Sequence, residues 1–160
     1  MSDTQLAKNN EFFFELDGSN FKEQVENLEK LLKNSGSPDV FIGNSDSAPL
    51  AHSFSDGVYI REILLLKGIF AIGKIHKLHH TFFLMKGKLR VCTEQGVEDI
   101  EAPYYGTSIA GVKRVVFALE DSVFVNVLPN PSNTKDIDKL EDTFVVSSYK
   151  EYEEYKLLNE

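Results

Sequence analysis

Three of the chain's four histidines, His76, His79 and His80, stand within one short stretch, Gly73-Lys-Ile-His-Lys-Leu-His-His-Thr-Phe-Phe-Leu-Met-Lys-Gly87. Neutral imidazole is a ligand for divalent metals and a general base near neutral pH, so this is where the chain is equipped for chemistry. Two imidazoles converging from neighbouring strands can hold a metal when a further hydrogen bond fixes each ring's tautomer. The flanking residues must then supply those strands. Residues 69–76 and 81–85 are rich in β-branched and aromatic types, and Gly87 closes the second run. Side chains alternate faces along a strand, which places His76 with Phe70 and Ile72, and His80 with Phe82 and Leu84. Both rings are then expected to point the same way.

The elements around this stretch follow from pattern. Strands are expected at 58–66, 69–76, 81–85, 89–93, 97–100, 107–110, 114–118 and 122–128, with turns at Lys67-Gly68, Lys86-Gly87, Gln95-Gly96, Gly106 and Glu120-Asp121. Short strands at this spacing with no helix between them give an all-β sandwich or barrel. Ahead of them, Asn20 and Glu23 form a candidate capping box for a helix whose apolar stripe is Phe21, Val25, Leu28, Leu31 and Leu32, ended by Gly36 and Pro38. Residues 39–43 read as a short edge strand and 44–49 as loop. Phe12, Phe13 and Phe14 lie in an N-terminal arm that needs cover from the core or from another subunit.

After Pro129 and Pro131, residues 136–141 read as a helical turn. Ser148 and Glu151 form a second capping box for a helix over 149–158, along which Tyr149, Tyr152 and Tyr155 make a stripe expected to dock on the protein's own surface. The chain thus divides into an arm and helix (1–56), a β core (57–130) and an acidic helical tail (131–160).

A net charge of −8 over 160 residues argues against general nucleic-acid binding, which needs a basic surface. The charge is uneven. Between Gly57 and Arg90, seven basic residues (Arg61, Lys67, Lys74, Lys77, Lys86, Lys88, Arg90) face one acid, Glu62. Such a region is a pocket for an anion, a dock for an acidic segment of a partner or of its own tail, or a set of solvated lysines guarding strand edges. No run approaches the roughly 20 apolar residues of a membrane span, and the first residues lack the pattern of a signal peptide. The expected location is therefore the cytoplasm. The single cysteine, Cys92, falls in a strand and is expected to be buried and inert.

The histidine stretch resembles the cupins, whose first motif is G-x5-H-x-H-x3,4-E-x6-G and whose second is G-x5-P-x-G-x2-H-x3-N. Counting back from Gly87 sets His80 at the glutamate position, His76 at the second histidine and Lys74 at the first. Ile109-Ala-Gly-Val-Lys-Arg114 sets Arg114 where the second motif has its last histidine ligand. The resemblance covers roughly residues 58–128 and implies a jelly-roll barrel, the double-stranded β-helix, carrying the helix in front and the helical tail behind. Tyr59-Ile-Arg-Glu-Ile, Gly73-Lys-Ile-His-Lys, Thr93-Glu-Gln-Gly and Gly111-Val-Lys-Arg are also similar to small cupin-like proteins of tailed bacteriophages.

Three functional readings follow. In the first, His76, His80 and, if the turn swings it inward, His79 bind a divalent metal; Arg114, a permanent cation at a ligand position, opposes this. In the second, Lys74, His76, His80 and Arg114 form a metal-free pocket for a small anion, with or without catalysis. In the third, which the long extensions with their Phe and Tyr stripes favour, the chain is a non-catalytic binding or assembly module. It would be homo-oligomeric, would work in the host cytoplasm or the virion with other phage or host proteins, and would need no cofactor. An open barrel mouth would mark an enzyme; a mouth plugged by Phe70, Phe82 or Phe117 would mark an assembly module.

Overall fold

The computed structural model describes residue 16, residues 20–43 and residues 49–159; the arm with Phe12, Phe13 and Phe14 lies outside them. In chain order the elements are α1 (Phe21–Ser35), β1 (Val40–Ile42), β2 (Leu50–Ser55), β3 (Gly57–Leu65), β4 (Phe70–Ile72), β5 (Ile75–His76) and β6 (His80–Lys86). They continue with β7 (Lys88–Thr93), β8 (Gly96–Glu101), β9 (Tyr104–Ser108), β10 (Val115–Ala118), β11 (Ser122–Asn130), α2 (Ile137–Phe144), β12 (Val145–Val146) and α3 (Tyr149–Asn159).

The strands form two five-stranded sheets, β1-β4-β10-β7-β8 (sheet I) and β2-β3-β11-β6-β9 (sheet II), with a two-stranded ladder of β12 and β5 at the side. Within them, β4-β10-β7-β8 faces β3-β11-β6-β9, which is the strand order of a jelly roll. The expected barrel is not closed. Among the described residues no ladder joins the two sheets, and their edges are instead extended by β1, parallel to β4, and by β2, paired with β3. The edge strand expected over 39–43 is β1; β2, in a stretch with no clear alternation, was not expected.

The centre of sheet I is buried on both faces. Toward sheet II, Leu84, Leu89, Ile100 and Ala118 share one core with Ile63, Val91, Val116 and Phe124. Away from it, Phe70, Ile72, Cys92, Val115 and Phe117 pack under Phe21, Val25 and Leu28 of α1 and Tyr149 of α3, and Leu16 joins the same cluster. Each such apolar side chain taken from water contributes about 1.5–3 kcal/mol, which is what fixes α1 on the sheet. Gly36 ends α1 with φ 61°, the left-handed turn glycine allows. Two details of α1 differ from expectation: Asn20 makes no side-chain cap bond, and Leu31 is 66% exposed, lying off the buried stripe.

The tail is held on the body by its own chemistry. Asp136 caps α2 by accepting from the Lys139 amide at 3.2 Å, and Leu140 and Phe144 pack with Tyr59 and Leu128 over one end of the sandwich. Ser148 and Glu151 cap the helix as expected, with the return bond one residue further back than in a capping box: Ser148 Oγ accepts from the Glu151 amide, and Glu151 Oε2 accepts from the Ser147 amide. The tyrosine stripe docks as expected. Tyr149 is buried, Tyr152 packs on the same outer cluster, and Lys77 Nζ sits 5.2 Å from the Tyr155 ring centre. At Gly111 a Cβ would stand 2.6 Å from the Tyr152 ring, so the helix seats on a bare backbone. Lys113, 1% exposed, reaches Glu29 on α1 and donates to the Ser147 carbonyl at 2.9 Å, tying α1 to the tail. Burial opposes ionisation of Glu29, but hydrogen bonds from Lys113 and Lys33 hold its pKa below the usual value.

Candidate anion-binding site

The site begins with a break in a strand. The run expected over 69–76 is two strands, β4 and β5, parted at Gly73 and Lys74. Because the break shifts the alternation, Ile75 joins Phe70 and Ile72 under the helices, and His76 does not share their face. Strand β5 then pairs with β12, Val145 opposite His76, and the Lys77 amide donates to the Phe144 carbonyl at 2.7 Å. The tail therefore fixes where the first histidine points.

Sheet II supplies the other wall in layers. Arg61 lies opposite Asn126, which lies opposite Phe82; Ile63 lies opposite Phe124, which lies opposite Leu84. Between this wall and sheet I is a cavity of about 420 Å³, polar where it meets Arg61, His76, Arg114 and Asn126, and apolar where it meets Ile63, Phe124 and Val116. Phe82 lines this cavity without filling it, while Phe70 and Phe117 lie on the outer face of sheet I. The mouth is open.

His76 and His80 come together as expected, ring centres 4.1 Å apart. His80 Nε2 donates to Asn126 Oδ1 at 2.9 Å. His76 is 8% exposed, and its Nδ1 has no hydrogen-bond partner among the described residues. Burial, then the neighbouring His80, Arg61 and Arg114 charges, hold the His76 pKa well below the ordinary imidazole value. Burial likewise lowers that of His80, against its hydrogen bonds to Asn126 Oδ1 and the Leu78 carbonyl. Both shifts favour the neutral rings.

Arg114 donates to Ser108 Oγ at 2.8 Å and stacks its guanidinium 5.9 Å from the Phe82 ring centre. Burial lowers its pKa, yet a guanidinium stays charged at physiological pH. Among the described residues it has no carboxylate within ion-pair distance. Arg61 and Lys74 are placed differently: they share Glu141 of α2, at 3.6 Å and 3.1 Å. The basic stretch thus docks an acid of the chain's own tail, one of the three readings open to it. Of its other members, Lys88 and Arg90 pair with Glu101 and Asp99 on the neighbouring strand.

Of the five residues expected in the site, Lys74, His76 and Arg114 line the cavity, and His80 stands behind His76. His79 does not join them. It is exposed, and its Nδ1 accepts from the Ala110 amide at 3.2 Å on the outside of the turn. Arg61 and Asn126 were missed, although parity carried the signal. Arg61 alternates with Tyr59, Ile63 and Leu65, and Asn126 with Phe124 and Leu128, so each is a polar residue on an inward face. Glu141 had no local signal.

Three features of the site oppose a divalent cation. The imidazoles lie ring over ring, His80 spends Nε2 on Asn126, and the guanidiniums of Arg61 and Arg114 repel a metal. Among the described residues there is no group of three or more His, Cys, Asp or Glu side chains able to hold one.

No family model matches the chain, and no curated protein sequence does either. Among solved structures the chain is similar to KdgF from Halomonas sp., at 12% identity and TM-score 0.47 over 59% of this chain and 88% of that one. It is similar to an RmlC-like cupin family protein with a double-stranded β-helix fold from Methanocaldococcus jannaschii, at 15% identity and TM-score 0.45 over 56% and 86%. A cupin domain from Bordetella pertussis matches at 19% identity and TM-score 0.41 over 52% and 93%.

Proposed function

We propose that the chain is a binding protein for a small organic anion, held between the sheets with its charge on Arg114 and its apolar body against Phe82, Phe124 and Val116. One observation carries this reading: Arg114 is a half-buried cation lining an open cavity, with no carboxylate partner among the described residues. A fold keeps such a charge at a cost, and an anionic ligand offsets it. Asn126 and the unpartnered Nδ1 of His76 offer further polar contacts. The resemblance to phage-encoded proteins supports an accessory role in the host cytoplasm or the virion.

The test is calorimetric titration with benzoate and with inorganic phosphate, run beside Arg114→Gln. A charged hydrogen bond contributes about 1.5–3 kcal/mol, so the variant is expected to bind at least roughly tenfold more weakly. Equal binding by both proteins, or binding of neither probe, removes the reading.

A second reading, homo-oligomeric assembly, is favoured by the outer face of sheet II. There Leu64 lies opposite Val123, Val125 opposite Phe83, and Phe83 opposite Tyr105. Met85 and Tyr105 are 63% and 74% exposed, and no helix among the described residues covers them. An uncovered apolar sheet face is a contact surface for another copy.

A further inference from the structure

We infer that Glu141 tunes the charge selectivity of the cavity, acting as an internal anion that lowers its preference for doubly over singly charged ligands; this rests on the anion-binding reading above. The carboxylate stands where α2 closes one end of the sandwich, its Oε1 3.6 Å from Arg61 and its Oε2 3.1 Å from Lys74. Both of those cations line the cavity that also receives Arg114. Glu141 is thus the tail's contribution to the electrostatics of a pocket whose walls come from the two sheets.

The cation nearest the ligand without a carboxylate of its own is Arg114, whereas the attraction of Arg61 and Lys74 is spent in part on Glu141. Charge in a partly buried site is poorly screened, and its effect scales with the product of the interacting charges. Neutralising Glu141 therefore strengthens attraction for any anion in the cavity, and strengthens it twice as much, on the logarithmic scale, for a dianion as for a monoanion. A residue that merely held α2 in place would shift both ligands alike.

The backbone supports this role. Glu141 sits on a helix capped by Asp136 and anchored by Leu140 and Phe144, and β12 follows it directly into the ladder with β5. The carboxylate is therefore held by fixed elements, which a pocket charge must be if it is to discriminate.

The experiment titrates benzoate and phthalate, a monoanion and a dianion of similar body at pH 7.5, into the full chain and into Glu141→Gln. Glu141→Gln is expected to raise benzoate affinity by roughly tenfold and phthalate affinity by roughly a hundredfold. Lys74→Gln, the opposite change in charge at the same cluster, is expected to weaken both, phthalate more. Circular dichroism establishes that each variant is folded, and the pair Lys74→Gln/Glu141→Gln compared with Lys74→Gln gives the same answer if Glu141→Gln alone is not. Equal shifts for the two probes overturn the role of Glu141 while leaving an Arg114-dependent site in place. Failure of the unaltered chain to bind either probe overturns both.

Discussion

The imidazole of His76 lies over that of His80 with their planes tilted by 33°, inside a wall that also carries two guanidiniums. Protonating either ring puts a buried cation among cations. The folded state therefore binds these protons less readily than the unfolded chain does. Below the ordinary imidazole value of 6.5 the unfolded state takes up more protons, so stability is full above that pH and is lost as pH falls below it. The slope is up to about 1.4 kcal/mol per pH unit for each proton. Urea denaturation at pH 7.5, 6.5 and 5.5 measures it, and His76→Gln with His80→Gln is expected to flatten this part of the profile.

On the anion-binding reading, Arg114 serves the ligand at the expense of stability. Arg114→Leu removes a partly desolvated charge from beside the Phe82 ring at the loss of one bond to Ser108. The expected result is a gain of about 1 kcal/mol, or roughly 2–4 °C in Tm, together with loss of benzoate binding. A drop in Tm in scanning calorimetry would mean that the guanidinium is structural.

Gly111→Ala tests the seat of the tail. The residue has φ 82°, and its new Cβ would meet the Tyr152 ring at 2.6 Å. Strain and displacement together are expected to cost about 1–3 kcal/mol, with faster amide exchange along α3. Unchanged exchange would place the tyrosine stripe outside the stabilising contacts.

Val125→Lys tests the outer face of sheet II, where Val125 lies between Glu62 and Phe83. If copies pair there, light scattering shows a multiple of the chain mass that falls to the monomer value in the variant. An identical mass for both proteins would rule this face out as the contact.

Cys92 is expected to resist thiol reagents until the protein unfolds. It is wholly buried, and burial pushes its pKa to about 11. Labelling in urea should track the unfolding transition measured by circular dichroism; labelling at native rates well above this would show local opening of sheet I.

What could be read in the sequence was what depends on neighbours along the chain. Alternation placed most strands of the two sheets, and the Ser148–Glu151 spacing placed the start of the last helix. The convergence of His76 and His80 was also legible. Long-range effects were not. The break at Gly73 that turns His76 away from Phe70 is enforced by pairing with Val145, far along the chain. The charge balance at Arg61 likewise depends on Glu141, which no local pattern marks. Sheet closure failed as an expectation for the same reason, because β1 and β2 extend the edges in place of a ladder across the gap.

The ladder between His76 and Val145 also sets an order of events during synthesis. Domains emerging from the ribosome fold from the N-terminal side, and contacts distant in sequence form only when both partners are out. Strands β3 to β11 can meet while the last residues are still being made. The wall that orients His76 cannot be finished until Val146 has emerged, so a nascent or truncated chain would hold the jelly roll before it holds a competent pocket.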